Sequence, residues 1–340
     1  MPMPLELIIA AVLVISLILY ALLGGADFGG GMWDLLAFGP RARQQREAIA
    51  DAIAPVWEAN HVWLILVIVL LFTAYPAAFA AIMTALHIPI TVVLVGIVLR
   101  GAAFVFRKYD AQDDATHRRW SLVFSIASFF TPLFLGMTLG GLASGAIRVT
   151  DGLVTTGFFA GWTTPFAIAC GLFAQGMFAF LAATYMTVET QTDRALQADF
   201  RWRALFAGLS LAPAAALVFV LARRGAPAIF AGLTDWWAPW LLVATSVAAL
   251  TALGALWTWR FQLARIAAAA QVALILSGWA LAQYPALVIP DITIQAAAAP
   301  QVTLEFLSVT LLVGALVLFP SLGYLFVVFK RNQATSYISS

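Results

Sequence analysis

Of the 340 residues, 63% are hydrophobic and only 10% are charged, whereas a soluble domain carries roughly a quarter charged residues; most of the outer surface must therefore face lipid. The apolar runs are long and continuous, which excludes a transmembrane barrel of ~10-residue alternating strands and fits helices of ~20 residues crossing a ~30 Å core. A formal net charge of +2, with the basic residues in short connectors, argues against a nucleic-acid partner, and a single cysteine, Cys170, leaves neither an intrachain disulfide nor a thiolate metal cluster.

Nine apolar segments are predicted as membrane helices. They run over 5–26 with an extension towards 36, then 52–74, 78–106, 120–143, 157–187, 204–222, 240–258, 262–283 and 304–329. The first has no Lys or Arg ahead of it and no small-residue cleavage site after it, so it reads as a retained span and not a signal peptide. Only Arg260, Gln262 and Arg265 separate the seventh from the eighth. Pro89, Pro132, Pro165 and Pro320 fall inside predicted spans, where bending or local unwinding is expected. Trp236, Trp237 and Trp240 read as an interfacial belt. The fold class is all-α: a polytopic membrane protein of about nine helices forming one domain over 1–340, with helices 1–4 near 5–143 and helices 5–9 near 157–329.

The connectors give the orientation. The odd-numbered connectors and the tail hold fourteen basic residues: Arg41, Arg43, Arg46, Arg107, Lys108, Arg118, Arg119, Arg194, Arg201, Arg203, Arg260, Arg265, Lys330 and Arg331. The even-numbered connectors hold Arg148, Arg223 and Arg224. Positive charge marks the cytoplasmic side, so the N-terminus is expected outside and the C-terminus in the cytoplasm.

Ionisable residues inside a membrane are costly and usually face an interior or a water path. Asp27, late in the first span, Glu58 and His61, early in the second, and Arg100, late in the third, are such residues. The orientation places Asp27, Glu58 and Arg100 in the cytoplasmic half of the bilayer. Asp27 sits in GGADFGGGMWD, where small residues permit close helix contact; one reading is a packing motif whose buried acid is neutralised by Arg100. In DAIAPVWEANHVWLI, Asp51, Glu58 and His61 would share a helical stripe at spacings of seven and three. Asp51 would stand at the cytoplasmic mouth with Glu58 ~10 Å deeper. A carboxyl there can hold and pass a proton, so the stripe reads as a proton entry route; the alternative is an acid that only fixes helix contacts.

Glu58 and His61 also spell Glu-x-x-His, but a di-iron bundle needs a second copy and further carboxylates, and none is present. His61, His87 and His117 do not pair across spans, so no metal ligated by this chain is expected.

The passages GGADFGGGMWDLL and APVWEANHVWLI, with RGAAFVFR around Arg100, resemble the second subunit of cytochrome bd-type quinol oxidases. The likeness extends more weakly to SFFTPLFLGMTLGGLASG, YPALVIP and LFPSLGYLF. The resemblance implies a heterodimeric terminal oxidase of a bacterial respiratory chain in the cytoplasmic (inner) membrane. In that family haem b and haem d belong to the larger subunit I, and quinol is oxidised near the outer face. Oxygen is reduced to water with protons drawn from the cytoplasm. The second subunit supports assembly and the proton path, and in some members it holds a bound quinone; a small accessory subunit is a further expected partner. By the resemblance, Asp27 matches the acid of the glycine-rich first helix, Trp57, Glu58 and Asn60 match a Trp-acid-x-Asn motif, and Arg100 matches the third-helix arginine. Asp27, Trp57, Asn60 and Arg100 are read as residues near the partner haem or a quinone, or as structural ones, and Glu58 with Asp51 and His61 as the proton path. Some members carry Gln in place of His61. The competing reading is a proton-coupled secondary transporter. Transporters repeat their broken helices and sites in two halves, and here the buried charges are confined to the first three spans.

Overall fold

The computed structural model describes residues 3–53, 57–109 and 114–336, and the side chains of 57–58, 107–109, 114–118, 322 and 325–336 lie outside that description. The first half consists of α1 (Leu5–Leu35), α2 (Ala42–Ile53), α3 (Trp57–Ala74), α4 (Pro76–Ala85), α5 (His87–Tyr109) and α6 (Asp114–Ala143). A two-stranded hairpin, β1 (Val149–Thr150) and β2 (Leu153–Val154), leads to α7 (Pro165–Glu189), α8 (Arg194–Gly225), the short α9 (Pro227–Gly232), α10 (Ala238–Trp257) and α11 (Phe261–Gln283). A second hairpin, β3 (Ala286–Val288) and β4 (Ile292–Thr293), and α12 (Ile294–Ala297) precede α13 (Gln301–Ser336).

Among the described residues eight helices are long and apolar enough to cross a membrane, and α3 with α4 forms a ninth candidate that is bent by 119°. The expected span over 78–106 is therefore not one helix. Pro76 has no N–H to continue α3 and disfavours helical geometry at the residue before it, and Tyr75 leaves the helix at φ −135°, ψ 59°. The corner is held: the Tyr75 hydroxyl donates to the Glu6 carbonyl, and Ala299 N donates to the Ala74 carbonyl at 2.8 Å. A new helix, α5, then begins at His87.

Two of the prolines expected inside spans start or nearly start helices instead. Pro165 opens α7 behind Thr164, whose hydroxyl accepts from Ala167 N at 3.1 Å, so 157–164 is not helical. Pro89 lies in the first turn of α5, where no intrahelical donor is lost. Pro132 and Pro320 do lie inside α6 and α13, and Pro213 inside α8. The seventh and eighth spans are separate helices joined by Thr258–Arg260, with Trp259 at φ 60° making the reversal.

Helix α1 is the hub. It packs against α3 and α6 in the first half and α7 and α11 in the second, and α13 lies alongside α1 and α3. Its glycine-rich stretch makes this possible: a Cβ at Gly29 would lie 2.0 Å from the Phe178 carbonyl oxygen of α7, and one at Gly31 would lie 2.1 Å from Ser128 Oγ of α6. Large apolar side chains are exposed along α3, α5, α8, α10 and α13, among them Ile65, Leu94, Phe206, Leu250 and Phe306, as lipid-facing helices require. Trp236 and Trp240 are exposed, whereas Trp237 packs against a small core beside Ile229 and Ile289.

The basic connectors gather at one end of the bundle. Arg41 makes two hydrogen bonds to Asp199, at 2.6 and 2.8 Å, and Gln45 donates to the same carboxylate. Arg203 donates to Gln45 Oε1 and to the Leu36 carbonyl, so α2 ties the end of α1 to α8. At the opposite end Arg148 pairs with Asp291 through two hydrogen bonds of 2.9 and 3.0 Å, joining the two hairpins.

Candidate functional site

A polar cluster sits inside the first half of the bundle, built by four helices. Helix α1 contributes Tyr20, Asp27 and Phe28, α3 contributes Asn60 and His61, α5 contributes Arg100, and α6 contributes Phe124 and Ser128. Tyr20 and Asp27 are seven residues apart and so share a face of α1 two turns apart. Every one of these helices is otherwise apolar here, so the cluster is an island of polarity within the core.

Asp27 is 5% exposed and accepts a hydrogen bond of 2.6 Å from Asn60 Nδ2. Arg100 is 1% exposed. Its Nε donates to Ser128 Oγ at 3.1 Å, and its guanidinium carbon lies 4.8 Å from the Phe28 ring centroid and 5.2 Å from that of Phe124. Aromatic faces attract a cation in this geometry, so the charge is cradled. It is not locked to Asp27, because Arg100 Nη1 and Nη2 have no hydrogen-bond partner among the described residues. Asp27 and Arg100 share the cluster without a hydrogen bond between them: Asp27 bonds Asn60, and Arg100 bonds Ser128.

Two more buried atoms lack partners among the described residues: the Tyr20 hydroxyl and His61 Nδ1. The His61 ring lies 6.0 Å from that of Tyr20 and 5.9 Å, edge-on, from that of Phe28. Four unsatisfied polar atoms thus lie on neighbouring groups, Arg100 and His61 against Phe28 and Tyr20 against His61. A buried polar group without a partner costs about 1–3 kcal/mol, and interiors resolve such clusters with ordered water making 2–4 hydrogen bonds. The arrangement can therefore hold a protonatable acid, a fixed cation and hydrogen-bonding groups for water within one apolar shell.

Of the residues expected from the sequence, Asp27, Asn60, His61 and Arg100 are brought together. Trp57 and Glu58 belong to the first turn of α3, and their side chains lie outside the described residues. Asp51 is exposed and lies on α2, not on α3, while 54–56 lie outside the described residues. The expected stripe from Asp51 through Glu58 to His61 runs across 54–56 and the Glu58 side chain, which lie outside the described residues. His87 is remote, bonded to the Thr84 carbonyl at 2.9 Å, and the His117 side chain lies outside the described residues. Among the described residues no group of three or more His, Cys, Asp or Glu is placed to hold a metal ion.

Sequence reasoning missed Tyr20, Ser128 and Asp34. Asp34 is 2% exposed and accepts from Ser125 Oγ at 2.7 Å, one helix end beyond Asp27. Its place in the glycine-rich passage was the available signal. Tyr20 looks like an ordinary apolar position until its ring is seen against His61.

Comparison with known proteins gives these features a family. The model of the family described as cytochrome bd terminal oxidase subunit II matches residues 5–329. The chain is 31% identical over 179 residues to subunit 2 of the cytochrome bd-I ubiquinol oxidase of Escherichia coli, a match covering 52% of this chain and 46% of that protein, so it spans about half of that relative's length. It is 25% identical over 331 residues to a putative cytochrome bd menaquinol oxidase subunit II of Bacillus subtilis, covering 93% of this chain and 92% of that one. A solved structure of the bd oxidase from Geobacillus thermodenitrificans shares the fold with a TM-score of 0.76 at 22% identity, over 97% of this chain and 100% of the other. With that family's model matched over residues 5–329, the chain belongs to the cytochrome bd terminal oxidase subunit II family.

Proposed function

We propose that this chain is the subunit without haem of a bacterial respiratory quinol:oxygen oxidoreductase, active only with a larger haem-bearing subunit I. The complex would sit in the cytoplasmic (inner) membrane, with the end rich in Arg41, Arg203 and Arg265 facing the cytoplasm. Haem b and haem d would be supplied by the partner and carry the electron and oxygen chemistry. The family also admits a small accessory subunit and a quinone held by this subunit.

The buried cluster around Asp27 and Arg100 carries the reading. An ionisable pair inside the membrane is costly and by default marks a functional path, and here both groups stand beside buried polar atoms that have no partner among the described residues and that water can satisfy. In the proposed role, the exposed Asp51 of α2 collects protons from the cytoplasm and Glu58, in the first turn of α3, receives them. Asp27, oriented by Asn60, holds the next proton site. Arg100 stays charged between Phe28 and Phe124 and balances Asp27 when its proton has left. His61 and Tyr20 complete a hydrogen-bonded ring for water beside them. Each step keeps the proton within a chain of acids and water, as general acid–base transfer requires.

The family membership favours this reading over a proton-coupled transporter, and the buried Arg201 of the second half is spent on the Leu256 and Trp257 carbonyls at a helix end, with no counterpart there of the Asp27–Arg100 cluster among the described residues. The test is purification of the tagged chain in mild detergent. A co-purifying larger subunit with a haem spectrum and quinol-dependent oxygen uptake supports the proposal. A colourless, self-sufficient protein that moves solute in liposomes overturns it.

A further inference from the structure

The second half of the bundle carries a different concentration of charge, at the same end as Arg41. Arg194, at the start of α8, and Arg201, about two turns later, both place their guanidinium carbons 5.0 Å from the ring centroid of Trp259. The two cations therefore lie at most about 10 Å apart, close to the Debye length of ~8 Å at physiological ionic strength, so their repulsion is only partly screened. Arg260 follows immediately, and Arg265 stands one turn further along α11.

The carboxylates nearby are already engaged. Glu189 pairs with Arg265 at 3.4 Å, and Asp193 caps α8 by accepting from Ala195 N and Leu196 N. Arg201 spends its Nε and Nη2 on the carbonyls of Leu256 and Trp257, ending α10. Among the described residues Arg194 and Arg260 make no ion pair. Four arginines thus face two acids, and the surplus positive charge is held in place by a backbone reversal at Trp259, φ 60°.

Around this charge the surface is aromatic and apolar. Trp202 and Trp257 are 59% and 63% exposed and meet edge to face at 6.3 Å. Below them Phe206 and Leu209 of α8 and Leu250 of α10 are exposed along two helices that pack together. Exposed Trp belongs at headgroup depth, and basic clusters between helix ends on this side recognise anionic headgroups.

We propose that this corner binds the headgroup of an anionic phospholipid. The phosphate would take Arg194 and Arg260 as its cationic partners, Trp202 and Trp257 would flank the glycerol region, and an acyl chain would follow Phe206, Leu209 and Leu250. The site is separate from the Asp27–Arg100 cluster and does not rest on the proton-path reading.

The test uses the intact, delipidated complex, titrated with phosphatidylglycerol and with phosphatidylcholine and read by native mass spectrometry. Tighter binding of phosphatidylglycerol is expected. It should fall about fivefold for Arg260→Gln and about 25-fold for Arg194→Gln with Arg260→Gln, following the usual contribution of one surface arginine to anionic lipid binding. Arg223→Gln with Arg224→Gln, at the far end of α8, should leave it unchanged. Equal binding of the two lipids overturns the proposal, as does wild-type affinity in the Arg194 and Arg260 variants, or displacement of the lipid by inorganic phosphate alone.

Discussion

The contact of α1 with α7 sets the two halves of the bundle against each other, and Gly29→Ala tests it. The added Cβ would lie 2.0 Å from the Phe178 carbonyl oxygen and 2.7 Å from Ala182 Cβ, whereas ordinary contact begins near 3.4 Å. The nearer obstacle is backbone, so the helices must part by about 1.4 Å. Overpacking of this kind costs about 1–3 kcal/mol. One turn on, Trp33 Nε1 donates to the Ala179 carbonyl at 2.8 Å, and stretching that bond removes roughly 0.5–1.5 kcal/mol more. The better helix propensity of Ala returns up to ~1 kcal/mol, leaving a net loss of about 2 kcal/mol. Gly254→Ala is the matched control: nothing lies within 4 Å of its Cβ position, so only the propensity gain remains. Thermal denaturation of the purified complex in one detergent should show Gly29→Ala melting below wild type and Gly254→Ala at or above it. Equal melting of Gly29→Ala and wild type would refute the close α1–α7 contact.

Tyr20→Phe separates a hydrated cluster from a dry one. With water in the cluster the lost hydroxyl removes a hydrogen bond and lowers stability by about 1 kcal/mol, whereas a dry, unpartnered hydroxyl would make the variant more stable; thermal melts read the sign. Arg100→Met keeps the volume but leaves Asp27 without its nearby cation, and it should cost about 3–5 kcal/mol or prevent assembly. Arg100→Lys should recover part of that loss, as measured by yield of assembled complex. Asp27→Asn keeps an acceptor for Asn60 but carries no proton, so turnover should fall with little change in melting. At the opposite end, the Arg148 guanidinium and the Val149 N–H hold the Asp291 carboxyl below its usual range. A depressed folded value means that this contact contributes fully above the unfolded value of ~3.9 and is lost as pH falls below it. Hydrogen exchange in the β1–β2 hairpin, corrected for its intrinsic pH dependence, should therefore rise at acid pH in wild type but not in Asp291→Asn.

Much of the architecture was legible in the amino-acid sequence, because lipid exposure demands long apolar runs and charge asymmetry orders the connectors. The runs near 240–258 and 262–283 show this: three residues, Thr258–Arg260, suffice to part them. What hydropathy could not reveal was the corner at Tyr75, since the ten residues of α4 are as apolar as a spanning helix and the apolar run continues unbroken on either side of the bend. Pro76 was the local clue, but prolines also occur within continuous helices here, as Pro132 and Pro320 do. In the cluster, Asp27 and Arg100 stood out as charges in an apolar setting. Asn60 was marked only through the family motif and Ser128 not at all, because the Asn60–Asp27 and Ser128–Arg100 bonds join residues 33 and 28 positions apart. Tyr20 carries no unusual charge or spacing, and only its position against His61 makes it part of the site.

The central claim is that this subunit delivers cytoplasmic protons to a haem-bearing partner through its first helices. Quinol-driven oxygen uptake by the purified complex carrying Glu58→Gln tests it most directly, with the haem spectrum recorded on the same sample. The account predicts slowed oxygen reduction with haem content unchanged. Wild-type turnover at normal haem content would contradict it, and loss of haem would place Glu58 in assembly instead.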